Sequence, residues 1–311
     1  MTRIIAHRGA SGWRPEHTAA AVRLGFALGA DAVEPDLVPT RDGVLVVRHE
    51  PEISETTDIA ERPELAARRR TIRVPAEAQP PGDPIGELTG WFTFDLDWAE
   101  LAGLHARERL PGLRQHGATF TEERLLRFAD LLDLLDERAA AGRPATLVAE
   151  IKHAAAFGLL GHDMAALLRR ELGDRVPAER LVVESFELPV LERLRDLGLA
   201  GTLVLLSEGP VDLATLPEGI GGVSVAKATL LAEPGLVAEA HARGLLVYTW
   251  TLRPENAFLE PRHRGPGGEA DWGRWQEEYR AVLATGVDGV FADHPDLVAA
   301  VLADGSVGGP A

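Results

Sequence analysis

Cysteine is absent from the 311 residues, which removes disulfides, thiolate metal sites and a cysteine nucleophile together. Any metal chemistry must therefore use oxygen and nitrogen ligands. Lysine is nearly absent as well, at Lys152 and Lys227 only, so positive charge is carried almost entirely by arginine. No stretch approaches the roughly 20 consecutive apolar residues of a membrane helix. The opening Met1, Thr2, Arg3 and its short apolar run lack the charged leader and apolar stretch of about 7 to 15 residues that mark an export signal. The chain as given therefore reads as cytoplasmic, with no stable membrane insertion. Short-period repeats and low-complexity segments are missing too. Basic charge is in deficit: 32 Lys and Arg face 48 Asp and Glu, a net charge of −16. That balance argues against nucleic acid or an anionic membrane as partner, because such binding needs clustered cations to neutralise phosphates. A small phosphate-bearing ligand remains compatible with it, since a bound divalent cation reverses the field locally.

What is present is the balance of a folded globular chain, with 45% hydrophobic and 26% charged residues. Short β-rich runs alternate with Ala- and Leu-rich segments of helical period, the pattern of repeated βα units around a parallel sheet. Strands are expected at residues 3–7, 32–38 with a continuation at 44–48, 145–152, 181–185, 202–206, 222–225, 245–250 and 289–292. Eight such units close a (β/α)8 TIM barrel, a size that a single domain of this length accommodates. Helices are expected over 18–28, with Thr18 as N-cap and Gly29 as stop, and over 122–141, 162–172 and 189–197. Asp42-Gly43 favours a tight turn between 32–38 and 44–48. From about 51 to 118 the periodicity weakens and Pro, Gly, Arg and Glu accumulate. We read an insertion after the second strand, irregular until 98–107, packed over the barrel mouth. Residues 259–271 read as a long loop after the seventh strand, the Arg68-Arg69-Arg70 run as solvated loop charge, and the tail 304–311 as fraying.

Polar residues gather at the C-terminal ends of the strands, where parallel barrels keep their active sites. His7-Arg8-Gly9 ends the first. Glu34 and Asp36 lie two apart late in the second, so both aim to one face. Buried together, they must share a cation, take up a proton, or pair with arginines. Glu150 adds a third carboxylate at the end of an apolar strand, with Lys152 two residues on. Three oxygen ligands suit a hard cation, Ca2+ or Mg2+, better than Zn2+. His7 and His49, both at strand ends, are either hydrogen-bonded structural groups or an acid and base near their ordinary pKa. Arg8 and Lys152 either contact a phosphate or pair with Glu16 or another carboxylate. Trp250 either walls off the organic part of a substrate or is plain core. The remaining histidines receive no role.

The ordered set His7-Arg8-Gly9, Pro15-Glu16, Glu34-Pro35-Asp36, His49, Glu150-Ile151-Lys152, Ser185-Phe186 and Tyr248-Thr249-Trp250 resembles the glycerophosphodiester phosphodiesterase family. Within the insertion, Ser54-Glu55-Thr56-Thr57-Asp58, Gly90-Trp91-Phe92-Thr93 and Arg107-Glu108-Arg109-Leu110-Pro111 resemble its longer members. The resemblance implies a single TIM-barrel phosphodiesterase domain that hydrolyses small glycerophosphodiesters, such as glycerophosphocholine, to glycerol 3-phosphate and an alcohol, in lipid and glycerol metabolism. Residue by residue it implies one divalent cation on Glu34, Asp36 and Glu150. It implies His7 as base and His49 as acid, with Arg8 and Lys152 on the phosphate. One departure stands out: the family usually follows Pro-Glu with Asn and Thr, whereas this chain has His17 before Thr18. Two other readings are an idle barrel that binds a phosphorylated metabolite and a related two-histidine phospholipase.

Overall fold

A computed structural model describes residues 2–79 and 86–305. Along the chain the strands are β1 Arg3–His7, β2 Ala32–Glu34, β3 Asp36–Pro39, β4 Leu45–Val47, β5 Arg70–Arg73, β6 Glu87–Gly90, β7 Thr146–Ile151, β8 Leu181–Ser185, β9 Thr202–Ser207, β10 Ile220–Ala226, β11 Leu246–Leu252 and β12 Gly289–Ala292. Parallel pairing runs from β2 through β1, β12, β11, β10, β9 and β8 to β7, and β7 returns to β2, which closes an eight-stranded barrel. The second position in that ring is shared. Pro35 has no N–H to give the ladder, so the strand breaks into β2 and β3, and β7 pairs with each in turn: Ala32 with Thr146, then Asp36 with Glu150.

The predicted continuation at 44–48 is not a barrel strand. It forms β4, antiparallel to β3 outside the ring, because the Asp42-Gly43 turn, with Gly43 at φ +75°, reverses the chain.

Strand alternation decides what the barrel contains. Ile5, Ala32, Val148, Val182, Val204, Tyr248 and Phe291 form one buried apolar cluster inside it. Two residues further along the same strands come His7, Glu34, Glu150, Glu184, Leu206, Trp250 and Asp293. An apolar plug thus carries a polar layer directly above it, at the C-terminal end. The helices are α1 Ala19–Ala27, α2 Trp98–Leu101, α3 Phe128–Ala140, α4 Ala154–Leu159, α5 Met164–Leu172, α6 Leu188–Asp196, α7 Lys227–Ala232, α8 Leu236–Ala242, α9 Trp275–Leu283 and α10 Pro295–Ala303, and the opposite strand faces pack against α1, α3, α5, α6, α8, α9 and α10. Thr18 caps α1 as expected, its hydroxyl accepting from Ala21 N at 3.1 Å.

The insertion has more structure than its sequence pattern suggests. β5 and β6 form an antiparallel hairpin, and Val46, Ile53, Ile59, Leu65, Trp91, Leu96, Leu101, Leu104 and Leu125 make a separate core. The regular structure expected over 98–107 is a single helical turn, Trp98–Leu101; beyond it His105 and Ala106 bridge Arg124 and Thr57 as short antiparallel contacts. The same contacts delay the next helix, which starts at Phe128 rather than 122. Arg68 and Arg70 are tied to Glu100 and Asp95 at 2.9 and 2.6 Å, so that run holds the insertion to itself. Residues 306–311 of the tail expected to fray lie outside the described residues.

Candidate active site

Glu34, Asp36 and Glu150 each offer an oxygen within 4.8 Å of the other two. They come from β2, β3 and β7, brought together by the Pro35 break and the pairing of Asp36 with Glu150. All three are buried. Glu34 Oε2 accepts from Arg8 N at 2.9 Å, but Glu34 Oε1 and Asp36 Oδ1 are buried without a hydrogen-bond donor. Burial, Asp36 and the neighbouring carboxylates push Glu34 well above the usual carboxylate range. Burial and Asp36 likewise raise Glu150 to about 8, although Lys152 Nζ lies 2.9 Å from its Oε1. Asp36 goes the other way: burial opposes its charge, but Arg8, His49 and Lys152 outweigh that and hold it well below its ordinary value. Buried, donor-poor oxygens of three converging carboxylates fit one hard divalent cation.

A fourth carboxylate, Glu184 on β8, went unassigned in the sequence. It is buried, its Oε2 has no donor, and burial together with Glu150 and Asp36 raises it well above normal. Its position two residues beyond Val182, in register with Glu150, was the available signal.

Each histidine is fixed by a carboxylate on one nitrogen. His7 Nδ1 meets Asp293 Oδ1 at 2.6 Å, and His49 Nδ1 meets Glu50 Oε1 at 2.6 Å. With Nδ1 donating, the neutral ring carries its lone pair on Nε2. Burial, then Arg8, lowers His7 to about 4 despite Asp293. Burial, Arg8 and Lys152 lower His49, whose Nε2 lies 3.0 Å from Lys152 Nζ. Neither Asp293 nor Glu50 stood out in the sequence. Asp293 follows β12 and comes from the far end of the chain, 286 residues from its partner; Glu50 adjoins His49.

Arg8 sits at φ +60°, an unusual region for a side-chain-bearing residue. Its N–H is donated to Glu34 and its guanidinium pairs with Glu16 at 3.0 Å and Asp36 at 3.1 Å. The ion pair considered for Arg8 therefore exists, at the edge of the carboxylate cluster. Gly9 has to be glycine: at φ +83° its added Cβ would lie 2.6 Å from the Ala21 backbone of α1.

His17 is also left-handed, at φ +59°, and donates from Nε2 to Asp36 Oδ2 at 2.8 Å. It orients a carboxylate of the cluster, a task a side-chain amide can share. Burial lowers its pKa from 6.5 to about 4. A depressed histidine contributes stability above pH 6.5 that is lost as pH falls through about 4. His17→Asn, which tolerates φ > 0, is expected to soften that loss. Its Tm should gain on the parent as pH goes from 7 to 5 in thermal melts; parallel curves would count against a neutral buried His17.

A cleft of about 410 Å3 opens above this layer. His7, Arg8, Glu34, His49, Glu150, Lys152 and Glu184 line it together with Phe186, Leu206, Trp250 and Phe258, among which Phe186 and Trp250 meet edge to face at 5.9 Å and Lys152 Nζ lies 5.7 Å from the centre of the Phe186 ring. Of the sequence candidates, all but Asp36 face the cleft, and Asp36 reaches the cluster from behind.

The chain is similar to known proteins in sequence and in fold. The Glycerophosphoryl diester phosphodiesterase family matches residues 7–297. A glycerophosphodiester phosphodiesterase of Arabidopsis thaliana is 27% identical over 93% of this chain and 82% of its own length. A probable glycerophosphodiester phosphodiesterase of Mycobacterium tuberculosis is 30% identical over 80% and 81%. The crystal structure of a Silicibacter pomeroyi protein described as a putative glycerophosphoryl diester phosphodiesterase covers 100% of this chain and 96% of its own, at TM-score 0.70 and 24% identity. An Oleispira antarctica phosphodiesterase solved with the product sn-glycerol-3-phosphate superposes at TM-score 0.69 and 19% identity over 97% of both chains. With a family match spanning the barrel from His7 of β1 to α10, this chain belongs to the glycerophosphoryl diester phosphodiesterase family.

Proposed function

We propose that this enzyme hydrolyses small glycerophosphodiesters to sn-glycerol 3-phosphate and an alcohol. Glu34, Asp36 and Glu150 would hold one divalent cation, Ca2+ or Mg2+, while His7 acts as base and His49 as acid. The observation that carries the reading is the pair of buried oxygens on Glu34 and Asp36 without a hydrogen-bond donor, together with two imidazoles that line the same cleft as Glu34 and whose Nδ1 atoms are already tied. When bound, a cation there supplies charge stabilisation for a phosphoryl oxygen, an effect of several kcal/mol. The protein's own groups do the rest. Arg8 and Lys152 stand where a phosphate needs positive charge, although both also serve the carboxylates. With burial, their charge lowers the His49 pKa and favours the neutral ring. An incoming phosphodiester brings negative charge between them, offsets that depression and lets His49 carry the proton that the leaving alkoxide will take. His7 Nε2 removes a proton from the nucleophile: either water, which gives glycerol 3-phosphate directly, or the substrate's 2-hydroxyl, whose attack expels the alcohol and leaves a 2,3-cyclic phosphate that a water then opens to glycerol 3-phosphate. The apolar wall of Phe186, Leu206, Trp250 and Phe258 faces the organic part of the substrate.

The test is the bond broken. Incubated with glycerophosphocholine and other glycerophosphodiesters, the enzyme is expected to release glycerol 3-phosphate and the free alcohol. Release of glycerol with a phosphorylated head group would reject the stated cleavage. Binding without turnover on the whole panel, under any cation, would favour an idle barrel. Turnover restricted to phospholipid vesicles would favour a phospholipase.

A further inference from the structure

Both histidines are tied to the insertion, each through its own carboxylate and its own arginine. Arg109 clasps Glu50 with Nη1 on Oε1 and Nη2 on Oε2, both at 2.6 Å, and Glu50 Oε1 takes the Nδ1–H of His49. The same guanidinium holds Glu16 through Nε at 2.9 Å and Nη2 at 2.6 Å. Arg114 donates from Nη2 to Asp293 Oδ2 at 2.7 Å and from Nε to Glu255 Oε1 at 2.7 Å, while Asp293 Oδ1 takes the Nδ1–H of His7. The arginines are five positions apart, at the end of the insertion, around a turn in which Arg114 N donates to Leu110 O.

A carboxylate held by one oxygen still rotates about its terminal bond. Fixing the second oxygen with a planar guanidinium leaves the first in one place, and the imidazole N–H follows it. Arg114 neutralises the buried Glu255, but charge balance at Asp293 does not require it: Arg253 Nε already donates to Asp293 Oδ2 at 2.7 Å, so that carboxylate has a cation without it. What Arg114 adds is a second direction of restraint, from a different segment of chain. Surface docking does not explain it either, because the Arg114 side chain is 6% exposed.

We propose that Arg109 and Arg114 are positioning residues for the two histidines. The insertion then acts on the chemistry by orienting His49 through Glu50 and His7 through Asp293. This deepens the proposed function and rests on its assignment of His7 and His49.

The test uses the full chain and two substrates: glycerophosphocholine, whose leaving alkoxide needs a proton, and the p-nitrophenyl diester of glycerol 3-phosphate, whose leaving group does not. kcat and KM are measured for Arg109→Met, Arg114→Met, His49→Ala and His7→Ala. Each arginine variant is expected to lose kcat by ~10- to 100-fold, by analogy with the loss seen when outer partners of metal-ligating imidazoles are removed, with KM within about twofold. Arg109→Met should also reproduce the ratio of losses on the two substrates shown by His49→Ala, and Arg114→Met the ratio shown by His7→Ala. Wild-type kcat in both arginine variants, or a change in KM alone, overturns the proposal. Wild-type turnover in both alanine variants instead removes the histidine assignment itself, whatever the arginines do. Should a Met variant not fold, Arg109→Lys and Arg114→Lys decide: one ammonium cannot make the two-pronged clasp, so kcat should still fall, and wild-type kcat in the Lys variants overturns the proposal.

Discussion

His7→Ala is expected to lower kcat on glycerophosphocholine by about 10^2 to 10^4-fold, the usual contribution of a positioned acid or base, while the fold survives. The fold is safe because His7 lies in the polar layer above the barrel plug. The apolar interior beneath it, Ile5, Tyr248 and Phe291 among others, is complete without the imidazole. His49→Ala should show a loss of similar size with alcohol leaving groups, and its position at the cleft edge makes a structural effect smaller still. Circular dichroism and thermal melts of the purified variants separate the two effects. Near-normal turnover in either variant would refute its role in proton transfer. The pH dependence gives a second check. His7 is held down to about 4 by burial and Arg8, so a neutral base persists well below the ordinary histidine range. Activity limited by His7 should therefore hold on acidification past pH 6.5, where an unperturbed imidazole would already be losing it.

How much of this was legible in the sequence depends on how local the cause is. Barrel strands such as β8 and β12 were placed to the residue, because a short apolar run between turn signals is a local property. Glu34, Asp36 and Glu150 were legible as carboxylates at the ends of apolar strands, but what brings them together is the break at Pro35 and the pairing of β3 with β7, which spacing alone does not give. The partners of the histidines were not legible. Asp293 meets His7 only because a closed barrel joins its last strand to its first, and no spacing rule connects residues 286 apart. The insertion failed for a different reason. Its core is assembled from single apolar residues, Ile53, Ile59, Leu65, Trp91 and Leu104, on short turns rather than on one periodic face, so no window of sequence carries the pattern. Arg109, within a stretch that resembles the longer family members, and Arg114 received no role in the sequence for the same reason, since their meaning lies in carboxylates that come from distant parts of the chain. β4 shows the converse case. Its apolar run was read well, but the run alone does not say whether a strand joins the ring or folds back beside it, and the Asp42-Gly43 turn decided that.

Removal of divalent cations is expected to abolish turnover, and addition of Ca2+ or Mg2+ to restore it, with the same cation raising Tm. The carboxylate cluster explains why stability and activity should respond together. Without a cation, Glu34 and Glu150 are pushed up by burial and by Asp36, Glu150 to about 8, so at neutral pH the folded cluster retains protons that the unfolded chain has released. A carboxylate raised in this way contributes stability that is full below its unfolded pKa and is lost as pH rises through the folded value. The cation-free protein should therefore lose stability between about pH 4.5 and 8. The depressed histidines oppose this slope below pH 6.5, so the clean window is pH 7 to 8. A cation binds the ionised carboxylates and displaces their protons, so its affinity should climb with pH across that window. At ~100 times Kd the stabilisation is about 2.7 kcal/mol, or roughly 4 °C in Tm for a chain of this size. Melts in chelator and in excess cation, taken at pH 7.0 and 8.0, measure this directly, and the gap between them should widen at the higher pH. Glu150→Gln, which removes one ionisable ligand, should shrink both the gap and its pH dependence. Full activity in chelator, or a gap that narrows with rising pH, would mean that these carboxylates do not share a cation.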